Sequence, residues 1–251
     1  MTNHNQHIVI IGATSGMAEH CARLWVQADP VRLTLVGRHR AKTETVAADL
    51  RVRNPACDID VMTADFLDAA SIRATVEAIV QRGSPDIVLI AQGTLPEQAE
   101  CQTDLPLCRD TLEINGISPV LFAEAFILPM EHANHGTLAI IGSVAGDRGR
   151  KSNYVYGAAK GLVSRYAEGL QHRLARSKVK VVLIKPGPTD TPMTAAFKAK
   201  GMKMAPVESV AREIVAAVEK GQAVAYVPGK WWLIMRVIQH LPTMVFNRLD
   251  I

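Results

Sequence analysis

Tyr156-Gly157-Ala158-Ala159-Lys160 sets a phenol and an ammonium four positions apart, and Ser143 stands thirteen residues upstream at the end of an apolar run. A free tyrosine, with a pKa of about 10, is a poor acid at neutral pH, and a nearby cation lowers that value by favouring the phenolate. On a helix beginning near Asn153 the two side chains share one face at i and i+4, so Lys160 can act on Tyr156. Tyr154 has no lysine at that spacing, which makes Tyr156 the better proton donor. With Ser143 to orient a carbonyl oxygen, the chemistry indicated is carbonyl or alcohol redox. A tyrosine and a lysine at helical spacing also occur on plain solvated faces. The reading therefore requires a hydride carrier and further polar groups elsewhere in the chain.

A carrier site is legible near the start. The run HIVIIG ends in Gly12-Ala13-Thr14-Ser15-Gly16-Met17-Ala18 and passes straight into a helical pattern. Glycines there let backbone approach a ligand, and a helix N-terminus can face a pyrophosphate, as in dinucleotide sites. The second apolar run ends at Gly37-Arg38, followed by Arg40 and Lys42, where NAD-binding versions place an acidic residue for the ribose hydroxyls. Arginine suits a 2′-phosphate instead. The expected cofactor is NADP(H) in preference to NAD(H).

The elements that must position these groups follow from periodicity. Short β-branched runs at 7–12, 31–37, 58–65, 86–93, 137–143, 179–187 and 223–229 read as strands. Segments 16–28, 41–53, 71–81, 105–132, 153–176 and 206–220 carry apolar residues at helical spacing. The alternation predicts an α/β doubly wound (Rossmann) sheet of about seven mostly parallel strands, with helices on both faces. Residues 1–229 are expected to form one domain and 230–251 a C-terminal extension; 190–205, loose and lysine-bearing, reads as a lid.

Composition narrows the function classes. A net charge of +4 with scattered Lys and Arg is too mild for nucleic-acid binding. Cys21, Cys57, Cys101 and Cys108 lack metal-site or disulfide spacing, so reduced thiols, no metal and a cytoplasmic setting are expected. The polar opening MTNHNQH lacks the pattern of a signal peptide, and no uninterrupted apolar run approaches the ~20 residues that span a bilayer.

Taken in order, these motifs resemble the short-chain dehydrogenase/reductase family over nearly all residues up to about 229. The resemblance implies that the segment from Ile11 to Ala18 is the family's glycine-rich turn, with Gly12, Thr14, Ser15, Gly16 and Met17 at the cofactor. It implies that Asp65 lies beside the adenine, that Gly93 follows the fourth strand, and that Asn115 completes a tetrad with Ser143, Tyr156 and Lys160. In Lys185-Pro186-Gly187-Pro188-Thr189-Asp190-Thr191 it implies a nicotinamide site using Pro186, Gly187, Thr189 and Thr191. Lys160 would hold the nicotinamide ribose, and Asn115 a water for proton resupply. Three departures stand out: Ile11 and Ala18 replace a threonine and a glycine, and the usual Asn-Asn-Ala-Gly reads Ile90-Ala91-Gln92-Gly93, which puts the polar bracing between strands in question. A homodimer or homotetramer is implied, through 105–132 and 153–176.

After Gly229 the chain holds every tryptophan except Trp25, in an apolar segment broken by Lys230, Arg236 and His240. Such a segment suits a subunit interface, a lid over a greasy substrate or an interfacial helix touching a membrane. It is similar to the ending of reductases that act on polyprenyl-phosphate-linked 2-keto-pentoses, which implies a lipid-linked keto-sugar substrate. A general 3-oxoacyl or small-ketone reductase is the alternative, and a non-catalytic cofactor sensor a third reading.

Overall fold

A computed structural model describes residues 5–249; the polar first residues and the last two of the extension lie outside the described residues. All seven predicted strands form: β1 (His7–Ile11), β2 (Arg32–Gly37), β3 (Asp58–Thr63), β4 (Ile87–Ile90), β5 (Thr137–Ile141), β6 (Lys180–Pro186) and β7 (Val224–Val227). They pair in parallel in the order β3-β2-β1-β4-β5-β6-β7. The chain works outward from β1 to β3, then returns past β1 to start β4. That reversal opens a crevice at the carboxyl ends of β1 and β4, where ligands bind in such sheets.

Helices α1 (Gly16–Ala28), α2 (Arg40–Arg53), α3 (Ala69–Val80), α4 (Gln98–Thr103), α5 (Leu105–Leu112), α6 (Ser118–Ala133), α7 (Tyr154–Arg173), α8 (Ala195–Ala199), α9 (Val207–Lys220), α10 (Lys230–His240) and α11 (Thr243–Phe246) complete the described chain. Because strand side chains alternate, Ile8, Ile10, Leu33 and Leu35 meet α1, α2 and α9, while Val9, Ile11, Val36 and Val88 meet α3, α6 and α7. Both faces are apolar, which is why the strands read as continuous hydrophobic runs. Phe122 and Phe126 of α6 are fully buried, and Phe122 meets Phe66 edge-on at 5.2 Å. Each such burial contributes about 3 kcal/mol of transfer free energy.

Local chemistry sets the helix ends. The Asp68 carboxylate accepts from the amides of Ala70 and Ser71 to start α3, and Asp104 accepts from Leu107 N to start α5. Asn134 and Gly221 take left-handed conformations and end α6 and α9. The helix expected over 105–132 is three pieces: α5, a π-helical turn Glu113–Ile117, and α6. A π turn inserts a residue into the ladder and re-aims the side chains around it. Here it turns Asn115 into the interior. The whole stretch Leu105–Ala133 is long and apolar enough to cross a membrane, but half of its apolar window is buried in the protein.

Candidate active site

The strand-to-helix turn after β1 opens the first cleft. Gly12 has φ +79°, and a Cβ there would meet Gln92 N of the adjoining strand end at 2.6 Å, so only glycine fits. Ser15 precedes α1 without using its side chain as a cap, which leaves the first-turn amides directed at the cleft. Gly12, Thr14, Ser15, Gly16, Met17, Arg38, Gly93 and Thr191 all line it. Asp65 lies beside it, in a hollow shared with Arg38.

The cluster of cations after β2 divides by role. Arg40 turns away to pair with Glu44 at 3.3 Å, whereas Arg38 and Lys42 line the cleft and are exposed, without an ion pair among the described residues. Gln92 answers the question of polar bracing: it is buried after β4, and its Nε2 donates to Ser118 Oγ at 3.2 Å, tying the strand end to α6.

A second cavity, of about 430 Å³, shares Ser15, Met17, Gln92, Gly93, Thr191 and Met193 with the first and continues to Ser143, Tyr156 and Lys160. Pro186, Gly187, Thr189 and Asn115 also line it. Ser143 follows β5 and starts a 3-10 turn, Val144–Gly146, by accepting from Ala145 N at 3.1 Å. That turn lies against α7: a Cβ at Gly146 would sit 2.6 Å from the Lys160 carbonyl oxygen. The close approach brings Ser143 to Tyr156. At the start of α7, Val155 N donates to Gln98 Oε1 at 3.1 Å, so α4 supplies the cap that Asn153 does not.

Electrostatics around the pair differ from the simple expectation. Burial raises the Tyr156 pKa, and hydrogen bonding with Ser143 and the charge of Arg150 pull it partly back. The Lys160 ammonium is buried, which lowers its pKa to about 8, and its Nζ donates to Ile141 O at 2.9 Å. Nζ lies 5.8 Å from the Tyr156 ring centroid. Arg150 thus adds a second cation near the phenol. Asn115 is fully buried; its Oδ1 accepts from Thr94 N at 2.9 Å and its Nδ2 donates to Thr111 O at 2.8 Å.

Two residues after the 3-10 turn were missed by sequence reasoning. Asp147 accepts from Lys185 Nζ at 2.5 Å and from the Tyr226 hydroxyl at 2.8 Å. Arg148 Nη1 donates to Ile238 O at 2.6 Å and Leu241 O at 2.7 Å, and its guanidinium lies 3.8 Å from the Phe246 ring centroid. The loop carrying Ser143 is therefore fastened to β6, to β7 and to the extension. Trp231 of α10 lines the cavity against Gly187, where a Cβ would meet its indole nitrogen at 2.0 Å, and Met235 is fully buried. One face of the extension is thus a cavity wall. Trp232, Leu233 and Val237 stay exposed.

The expected lid, 190–205, leaves and rejoins the sheet side by side, with Asp190 N donating to Ala205 O and Ala205 N to Pro188 O. Phe197, Met202 and Met204 face the cavity from it, and Lys200 reaches across to Glu97 at 2.7 Å.

Residues 6–201 match the short chain dehydrogenase family. The chain belongs to that family. An uncharacterized oxidoreductase of Streptomyces coelicolor is 26% identical over 245 residues, 96% of this chain and 95% of its own length. An uncharacterized oxidoreductase of Mycobacterium tuberculosis is 28% identical over 246 residues, 96% of each. A short-chain dehydrogenase from Sphingobium yanoikuyae in complex with NADPH superposes with a TM-score of 0.82 at 19% identity, covering 98% of this chain and 96% of that one. Actinorhodin polyketide ketoreductase with NADPH gives 0.80 at 22%, covering 90% and 97%. This short-chain dehydrogenase is an oxidoreductase, and its first cleft fits a dinucleotide: a glycine cradle, helix amides without a side-chain cap, and two cations that make no ion pair among the described residues. Among the described residues no cluster of His, Cys, Asp and Glu could hold a metal.

Proposed function

We propose that the protein is an NADP(H)-preferring ketoreductase that exchanges hydride between the nicotinamide and a carbonyl or alcohol held beside Tyr156. The observation that carries this reading is the union of two clefts, one ending in Arg38 and Lys42, the other in Ser143 and Tyr156. When bound, the nicotinamide supplies hydride for reduction and accepts it for oxidation. Tyr156 donates its phenolic proton to the substrate oxygen, and takes it back in the reverse direction. Ser143 donates a hydrogen bond to the same oxygen, where negative charge develops. Lys160 would hold the nicotinamide ribose and favour the phenolate, and Asn115, beside Gly93, would hold the water that returns a proton. Asp65 and Gly93 would flank the adenine and nicotinamide ends, and Pro186, Gly187, Thr189 and Thr191 would border the carboxamide.

Apolar walls from Leu95, Val144, Phe197, Met202, Met204 and Trp231 suit a substrate with a greasy body. A lipid-linked keto-sugar is one such substrate, and the exposed Trp232, Leu233 and Val237 beside Lys230 and Arg236 support contact with an anionic membrane surface. A 3-oxoacyl or small-ketone substrate fits the same walls. Exposed Leu128 on α6 and Leu162 on α7 suit a homodimer or homotetramer. The test is NADPH oxidation against a panel of ketones, acyl ketones and keto-sugars. Turnover of at least one is expected; failure on all of them supports a cofactor-sensing protein instead.

A further inference from the structure

The second cavity contains three cations and no carboxylate. Lys160, Arg150 and Lys203 line it, and neither Asp nor Glu does. Lys160 donates to the Ile141 carbonyl and is the residue placed at the ribose. Arg150, seven residues after Ser143, is only partly exposed, and its Nε is buried without a hydrogen-bond partner among the described residues. The nearest use for it is already taken, because the Asp147 carboxylate whose field it feels is held by Lys185 and Tyr226. The neighbouring Arg148 shows the contrast: its guanidinium is filled by main-chain carbonyls and an aromatic ring. Lys203 reaches the cavity from the lid and makes no ion pair or hydrogen bond among the described residues.

A guanidinium partly stripped of water, with no carboxylate paired to it among the described residues, is costly unless a ligand satisfies it. Its planar donors match a carboxylate or a phosphate. We infer that the substrate carries such an anionic group near the reacting carbonyl, and that Arg150, joined by Lys203 when the lid is down, selects it. The inference rests on the reading of this cavity as the substrate site. Closeness to the reacting carbonyl follows from Arg150 lining the same cavity as Ser143 and Tyr156. Ser152 and Asn153 complete the polar end, and the apolar walls take the rest of the molecule.

The experiment compares each anion with its neutral counterpart. Calorimetry on the NADP⁺-saturated protein, in which no reduction can proceed, would measure binding of 2-oxooctanoate against its methyl ester, and of dihydroxyacetone phosphate against dihydroxyacetone. One pair tests a carboxylate, the other a phosphate. In at least one pair the anion should bind about tenfold more tightly or better, as a charge-assisted hydrogen bond implies. Arg150→Met, which keeps the apolar stem, should remove that preference while leaving NADP⁺ affinity unchanged. Arg150→Lys should restore part of it, and Lys203→Gln should weaken it less. Equal or absent binding of anion and neutral partner in both pairs overturns the inference, as does an Arg150→Met protein that weakens both partners alike. Turnover of the neutral ester with NADPH in that event leaves the ketoreductase reading intact.

Discussion

Lys185 Nζ lies 2.5 Å from Asp147 Oδ1, and both side chains are almost wholly buried. The pair joins the end of β6 to the loop that carries Ser143, and the Tyr226 hydroxyl on Asp147 Oδ2 extends the tie to β7. Removing one partner leaves the other charge buried and uncompensated. Asp147→Ala should therefore cost about 3–5 kcal/mol, read as a lowered midpoint in urea. Replacing both partners, with Lys185→Met added, should recover part of the loss.

Arg148 holds the extension by its last-turn carbonyls, where a cation also meets the negative end of α10. Arg148→Ala should free α10 and α11 for proteolysis and loosen Trp231 from the cavity wall. We expect KM for the carbonyl substrate to rise by about tenfold, the equivalent of one charge-assisted hydrogen bond, with NADPH affinity unchanged. An unchanged digestion pattern would show that the contact does not hold the extension.

Lys160 illustrates a conflict between stability and chemistry. Burial lowers its pKa to about 8, so the folded protein binds that proton less tightly than the unfolded chain does, where the pKa is about 10.4. The resulting cost is fully present below pH 8 and is relieved as pH rises from there to the unfolded value. Lys160→Met should thus stabilise the cofactor-free protein at pH 7 by on the order of 3 kcal/mol, a gain that fades by pH 10.5, while activity is lost. Denaturation curves at the two pH values check the sign.

Arg38 and Lys42 line the first cleft without an ion pair among the described residues. Arg38→Ala should raise KM for NADPH by about 10- to 100-fold, since a hydrogen bond to a charged group contributes about 1.5–3 kcal/mol, and should leave KM for NADH nearly unchanged. Equal loss with both cofactors would place Arg38 away from the 2′-phosphate.

The sheet was legible because β-branched runs buried on both faces leave no polar alternation to confuse them, and β1 to β7 fall within a few residues of expectation. The glycine turn and the Tyr156–Lys160 spacing were legible for the same reason: each is local. What escaped was non-local or hidden in helical periodicity. The π turn at Glu113–Ile117 preserves the apolar pattern on either side, so 105–132 read as one helix. Asp147 and Arg148 have partners 38 and 90 residues away, and nothing near them in sequence marks the bond. Nothing in the sequence around Arg150 marks it, yet it lines the cavity with Tyr156. The tail divided: Trp231 turned inward, Trp232 outward.

The central claim is that Tyr156 is the proton donor. Tyr156→Phe keeps the ring and removes only the hydroxyl, so the direct measurement is NADPH oxidation by this variant with the best ketone of the panel, beside NADPH binding by fluorescence. The account predicts binding within about twofold of wild type and turnover lower by about 10²- to 10⁴-fold, the usual contribution of a positioned general acid. Turnover near the wild-type rate, with NADPH bound normally, would contradict it.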